Sequence, residues 1–334
     1  MMQNLQQNDG ERVMSEKTKP LLDNPKALTG KGSNKGSNAM KHDERIASLS
    51  VLKKRSRQMS SYMIQNVTNE VDKNVAYNVA SCASTMVFNH YYTVDEIKLA
   101  VIRTCKKHLL CPVCAKIRSI KQAVKYMERL EIVLADNPNL VPAMLTLTVK
   151  NGDDLEERFN HLTKSWRTYQ NRRRQWMKKG RGFNELCRTT GGVFSYEFTK
   201  KDNGWHPHIH AVVLLDSKIN VHNLSAEWKE ITGDSYIVDI RRISTKSNQD
   251  IADGFLEVFK YALKFSELPL DDNLHVYMSL KRKRLQGAYG DFWGVLVPEK
   301  MTDDLLLDLP YLRLFYHYIA GKGYDLAKVR KFSG

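Results

Sequence analysis

The stretch Trp205 to Leu215, WHPHIHAVVLL, sets three histidines at every second position. Side chains of an extended strand alternate between its faces, so His206, His208 and His210 project together, while Ile209, Val212 and Leu214 supply apolar surface. Three imidazoles in register form a metal-site pattern; a single one would read as a surface residue of an edge strand. Upstream, Gly192 to Lys200 (GVFSYEFTK) reads as a second strand, and Lys201-Asp202-Asn203-Gly204 carries the Asn-Gly pair that suits a tight hairpin. A turn at Asn203-Gly204 sets Glu197 opposite His210, and a turn at Asp202-Asn203 sets it opposite His208. Both registers keep Glu197 on the histidine face. Two histidines and a glutamate suit a divalent ion such as Mg²⁺ or Mn²⁺, with positions left open for substrate oxygens.

The order of elements around this hairpin defines a fold class. Val141 to Lys150 (VPAMLTLTVK) alternates apolar and polar as a half-buried strand should, and Asp153 or Asp154 can cap a helix from Leu155 to about Lys179. After the hairpin come a helix from about Val221 to Ile231, a strand from Ser235 to Ile243 and a helix from about Ile251 to Phe265. The series β-α-β-β-α-β-α predicts an α+β fold, a ferredoxin-like antiparallel sheet flanked by helices. Residues 1–50, with the repeat KGSNKGSN and few large apolar residues, read as a disordered tail. Residues 51–135 read as a helical and Cys-rich zinc-binding region, with Val51 to Tyr92 helical in character. Residues 136–280 form the histidine-bearing domain. Residues 281–334 read as a basic turn (Lys281 to Phe292) and an amphipathic helix over Asp303 to Ala320, kinked at Pro310.

Charge points to the partner. A formal net charge of +15 implies a polyanion bound in a salt-sensitive way. The helix after Cys114 presents Arg118 and Lys121, and the later turns of the Leu155 helix carry Arg172, Arg173 and Arg174 among Trp166, Tyr169 and Trp176, a mixture suited to holding phosphates while bases stack. The basic cluster Lys53-Lys54-Arg55-Ser56-Arg57 fits DNA contact or a solvated helix face. No apolar run approaches the length of a membrane span, and the N-terminus lacks the layout of a signal peptide, so a cytoplasmic location with no membrane partner is expected. Three of the five cysteines lie within Cys105 to Cys114, which in a reducing compartment suggests metal before disulfides. Cys111 and Cys114 form a Cys-x-x-Cys knuckle shaped by Pro112, and Cys105 can join them; a tetrahedral structural Zn²⁺ then needs a fourth ligand, for which His108 is nearby.

The His-Ile-His core, followed downstream by Glu257-Val258-Phe259-Lys260-Tyr261, resembles the metal and tyrosine motifs of the HUH endonucleases. The resemblance is specifically to the single-tyrosine rolling-circle replication initiators of small bacterial plasmids, and it covers about Cys82 to Phe265. It implies an HUH fold and an origin-specific endonuclease and strand transferase. His208, His210 and Glu197 would hold the metal, with His206 contacting a ligand or the phosphate. Should the triad instead be His206, His208 and His210, Glu197 would orient a histidine. Tyr261 would be the nucleophile that forms a 5′-phosphotyrosine and frees a 3′-OH. Glu257, Tyr261 and Lys264 share a helix face at spacings of four and three; the resemblance gives Glu257 a general-base role at termination, and Lys264 is a group that steadies phosphate or phenolate. It also offers Cys82 as the alternative fourth zinc ligand, although Cys105 and Cys111 stand one residue further apart than in the family pattern. The implied partners are the plasmid origin, double- and single-stranded, and the host helicase and polymerase. Rival readings are a relaxase or single-strand transposase, and a zinc-containing DNA-binding regulator without catalysis.

Overall fold

A computed structural model describes residues 38–260, 264, 267–295, 306 and 309–332. Two antiparallel sheets organise them. The larger has the strand order β6-β3-β5-β4-β7, where β3 is Val141–Thr148, β4 Thr189–Lys201, β5 Gly204–Leu215, β6 Val238–Arg242 and β7 Gln286–Gly290. Helix α4 (Leu155–Lys179) connects β3 to β4, α5 (Val221–Thr232) connects β5 to β6, and α6 (Asn248–Phe259) follows β6. Since β5 lies between β3 and β4, the first four strands have the expected split βαβ arrangement; β7 is an added edge strand.

Local chemistry fixes the helix ends. Asp154 caps α4 by accepting from the Glu156 and Glu157 amides, and Gly180, at φ 65°, ends it in the left-handed region. Asn220 and Gly233 do the same for α5, and the Ser247 side chain starts α6. On one face of the large sheet Leu145, Phe194, Phe198, Ile209, Ala211 and Val213 pack with α4 and α5 through Phe159, Trp166, Tyr169 and Trp228. On the other face Val193, Val212 and Leu214 meet Phe255, Val258 and Phe259 of α6 and Ala123, Leu130 and Val133 of α3 (Pro112–Asp136). The histidines lie on this second face.

The smaller sheet departs from expectation. Its order is β2-β1-β8-β9, from β1 (Thr85–Tyr91), β2 (Glu96–Ile102), β8 (Tyr311–Ile319) and β9 (Gly323–Phe332). Helices α1 (Asn38–Asn66) and α2 (Glu70–Ser81) bear out only part of the helical stretch expected over Val51 to Tyr92. The helix expected over Asp303 to Ala320 is overturned in its described later part, while residues 303–305 and 307–308 lie outside the described residues: YLRLFYHYI is a strand, pairing with β1 from Thr85↔His317 to His90↔Leu312. Its aromatic and branched side chains suit a pleated surface, and Pro310, read as a kink, stands just before the strand. The segment read as a basic turn, Lys281 to Phe292, contains the edge strand β7 and is entered from α7 (Leu270–Leu280). Helix α1 begins at Asn38, inside the stretch read as tail.

Candidate active site

The hairpin register decides how the ligands meet. Lys201 pairs with Gly204, so Asp202-Asn203 is the two-residue turn, and Glu197 stands opposite His208, with Ser195 opposite His210. On the other side of β5, Thr146 pairs with His210 and Thr148 with His208. Ligand atoms of Glu197, His208 and His210 all lie within 4.8 Å of one another. His208 Nε2 is 3.1 Å and His210 Nε2 3.6 Å from the two Glu197 oxygens.

The outer ring nitrogens are held by the strands. His208 Nδ1 donates to the His206 carbonyl at 3.3 Å, and His210 Nδ1 is 3.2 Å from Thr146 Oγ1. With the proton on Nδ1, each Nε2 turns its lone pair toward the carboxylate, which suits two nitrogens and an oxygen sharing a cation. Glu197 is fully buried, and its two oxygens face His208, His210 and Lys264. Burial alone would raise its pKa; contact with His208 and the charges of Lys264 and His210 outweigh that and bring it down to about 2. Burial pushes His210 down to about 4, so at neutral pH the site offers a carboxylate and a neutral imidazole. The donor set therefore fits a divalent ion. His206 shares the face but hydrogen-bonds Asn151 Oδ1 through Nδ1 at 2.6 Å, outside the three-ligand group.

Helix α6 ends beside this group. Lys264 Nζ contacts Glu197 Oε1 and lies 4.0 Å from Glu257 Oε1, and Glu257 also pairs with Lys260. Two hydroxyls that the sequence reading passed over hold the last turn of α6: Ser195 Oγ donates to Val258 O at 2.5 Å and Ser119 Oγ to Phe259 O at 2.6 Å. Tyr261 lies outside the described residues.

A second cluster unites Cys82, Cys105, Cys111 and Cys114, all free thiols. Cys82 to Cys114, Cys105 to Cys114 and Cys111 to Cys82 are each 3.5 Å between sulfurs. Tetrahedral zinc with bonds of roughly 2.3 Å would separate its sulfurs by about 3.8 Å. Cys82 thus joins the group that could hold a metal ion, and His108 is not part of that group. Hydrogen bonds from Cys105 and Cys114 hold the Cys111 thiol well below the usual range. Lys53, expected at a DNA-facing or solvated surface, is instead fully buried: its ammonium donates to the Ala80 and Cys82 carbonyls at 2.5 Å each, placing a positive charge beside the thiolates.

The expected DNA contacts have different fates. Arg173 is buried and donates to the Thr189 carbonyl at 2.6 and 3.0 Å and to Thr190 at 3.0 Å, so its guanidinium holds the fold together. Arg172 pairs with Glu230 at 2.8 Å, and Arg174 hydrogen-bonds Asn171; both stay at the surface. Trp166 and Tyr169 are core residues. Lys121 is exposed, and half-buried Arg118 lines a cleft beside Phe259. No helix among the described residues is long and apolar enough to cross a membrane.

Comparison with known proteins agrees with this geometry. The chain is 26% identical over 259 residues to a protein named Protein rep from Streptococcus pneumoniae serotype 2 (strain D39 / NCTC 7466), covering 71% of this chain and 77% of that one. It is 24% identical over 252 residues to a Protein rep from Lactiplantibacillus plantarum, covering 70% and 75%. No solved structure matches. The family profile Rep_1, described as replication protein, matches residues 96–306, a span that contains the three-ligand hairpin and three of the four clustered cysteines. The chain belongs to this replication protein family, which bears out its resemblance to the rolling-circle plasmid replication initiators.

Proposed function

We propose that this protein initiates rolling-circle replication by nicking one strand of a plasmid origin with Tyr261, and that it later re-cleaves and joins the strand at termination. The observation that carries the reading is the buried Glu197, flanked by two imidazoles with inward-facing Nε2 atoms, on a strand pair inside the family's matched span. Glu197, His208 and His210 would hold a divalent ion, Mg²⁺ or Mn²⁺, which when bound would supply the charge that lets an anionic phosphodiester accept a nucleophile. The Tyr261 phenolic oxygen forms a bond to phosphorus as the bond to the 3′-oxygen breaks, and the expelled oxygen takes up a proton as a free 3′-OH. Lys264, which lies against Glu197, is suited to steady the phosphate or the phenolate, and Glu257 to take a proton from water in the terminating cut. The four-cysteine cluster, in turn, holds a structural Zn²⁺. Origin DNA, double- and single-stranded, is the substrate, and host helicase and polymerase are the partners this chemistry needs.

Nicking of supercoiled origin plasmid with added Mg²⁺ or Mn²⁺ tests the reading. We expect cleavage that chelator abolishes, a covalent protein-DNA product, and no cleavage by His208→Ala or His210→Ala, with salt-sensitive duplex binding kept. Both variants nicking at the normal rate with the usual metal dependence would refute the site. Metal-independent binding with no cleavage at all would return the protein to the regulator reading.

A further inference from the structure

A cleft of about 630 Å³ opens on the histidine-bearing face of the large sheet, at its β7 edge. The sheet register connects the two sites. Gln286 of β7 pairs with Ser195, and Ser195 pairs with His210, so one row of residues runs from the candidate metal ligands to the cleft wall. Phe259, at the end of α6, also lines it.

The lining is cationic and aromatic. Arg118 and Arg129 come from α3, and Lys281, Lys283 and Arg284 from the segment entering β7; no carboxylate among the described residues lines the cleft. Two of these cations have acidic partners outside it, Lys281 on Asp72 at 3.2 Å and Lys283 on Glu156. Arg118 has a buried Nε with no hydrogen-bond partner among the described residues. Arg284 is exposed, its Nε on the Gln286 carbonyl at 2.9 Å. Burial and the charge of Arg118 push His108, also in the lining, down to about 4, so the imidazole adds no further positive charge at neutral pH. Trp293 is 69% exposed at this cleft, an unusual place for an indole.

Arg118 and Arg284, which pair with no carboxylate among the described residues, call for a polyanion, and an open indole face calls for a flat ring to stack on it. Of the two forms of DNA, the unpaired strand offers phosphates and free base faces together, since in a duplex the faces are already stacked. We propose that this cleft holds the single strand adjoining the scissile phosphate, with phosphates on Arg118 and Arg284 and a base on Trp293. The assignment rests on the nicking function proposed above and gives the strand flanking the cut a place to bind.

Binding of a fluorescein-labelled oligothymidine, read by anisotropy in EDTA so that no cleavage occurs, tests the cleft separately from the chemistry. Trp293→Ala should weaken single-strand binding about tenfold. Arg284→Ala and Arg118→Ala should each weaken it and lower the slope of log affinity against log salt by about 0.7. Affinity for a duplex of equal length should stay within twofold, and unchanged circular dichroism and melting would show the variants to be folded. Unaltered single-strand binding by Trp293→Ala and Arg284→Ala overturns the proposal, as does an equal loss of duplex and single-strand binding. Should the wild type fail to nick yet these variants lose the oligothymidine selectively, the cleft stands and the nicking reading falls.

Discussion

Ser195 Oγ donates to the Val258 carbonyl at 2.5 Å, tying the last turn of α6 to the strand that carries Glu197 two residues further on. The side chain is fully buried, so Ser195→Ala removes a donor that water cannot replace. We expect a loss of about 1–3 kcal/mol, seen as a lower urea midpoint with an unchanged slope. Cleavage should fall several-fold at unchanged metal affinity, because the helix that leads into Tyr261 loses its anchor while the ligands stay. Wild-type stability and rate in this variant would show the hydroxyl to be dispensable.

The four-cysteine cluster predicts about one equivalent of zinc per chain. Cys111→Ser and Cys82→Ser should both lose the metal and lower stability, although Cys82 lies well upstream of the knuckle. His108→Ala should keep it, since four sulfurs already complete a tetrahedron. Metal analysis of reduced protein decides the matter, and zinc lost from His108→Ala but kept by Cys82→Ser would reverse the ligand assignment.

Glu257 is paired with Lys260, an arrangement that a helix-surface ion pair would also give. Its role therefore has to be read from chemistry. Tyr261→Phe should block the first cut, whereas Glu257→Ala should still nick and form the covalent adduct but fail to hydrolyse a second origin strand. The adduct is isolated on a labelled oligonucleotide and its resolution followed. Equal second cleavage by wild type and Glu257→Ala would exclude a general base there; loss of the first cut would assign Glu257 to positioning Tyr261.

His42 packs edge-on against Phe88, with ring centroids 4.7 Å apart, and lies 3.2 Å from the Tyr316 hydroxyl. Burial, aided by Arg45, pushes its pKa from 6.5 down to about 4. Between these values the unfolded chain binds the proton and the folded chain does not, so stability falls as pH drops from 6.5 to 4 and this contribution levels off below. His42→Gln should show a shallower loss between pH 7 and 4.5. Part of the slope should persist, because His108 and His210 are depressed in the same direction. Parallel curves for the two proteins would mean that His42 takes up its proton as readily folded as unfolded.

The hairpin was legible because its signals are local: an alternating pattern, a turn dipeptide, and ligands on one face in either register. The cap at Asp154, one of two neighbouring aspartates expected there, was legible for the same reason. Strand β8 was not, because its apolar residues fit an amphipathic helix until β1, most of the chain away, is laid beside it. Arg172, Arg173 and Arg174 are identical in sequence terms, and only the nearby Thr189 carbonyl makes the middle one structural. Ser119 and Ser195 carry no local signal of their role, since the carbonyls they hold are distant in the chain. Cys82 needed the family resemblance, for no spacing rule reaches it from the knuckle.

The smaller sheet has a consequence for synthesis. Strands β1 and β2 leave the ribosome long before β8, which covers the free side of β1, so the hairpin carries an open edge while the large sheet is translated. Cys82 stands just before this hairpin and Cys105 just after it, with Cys111 and Cys114 close behind, so all four thiols emerge before the large sheet begins. A metal taken up at that moment would clip the hairpin at its base and shorten the loop that must later be closed. A chain translated under metal starvation would present the same edge unclipped to its neighbours on a polysome, where partner strands of identical sequence are plentiful.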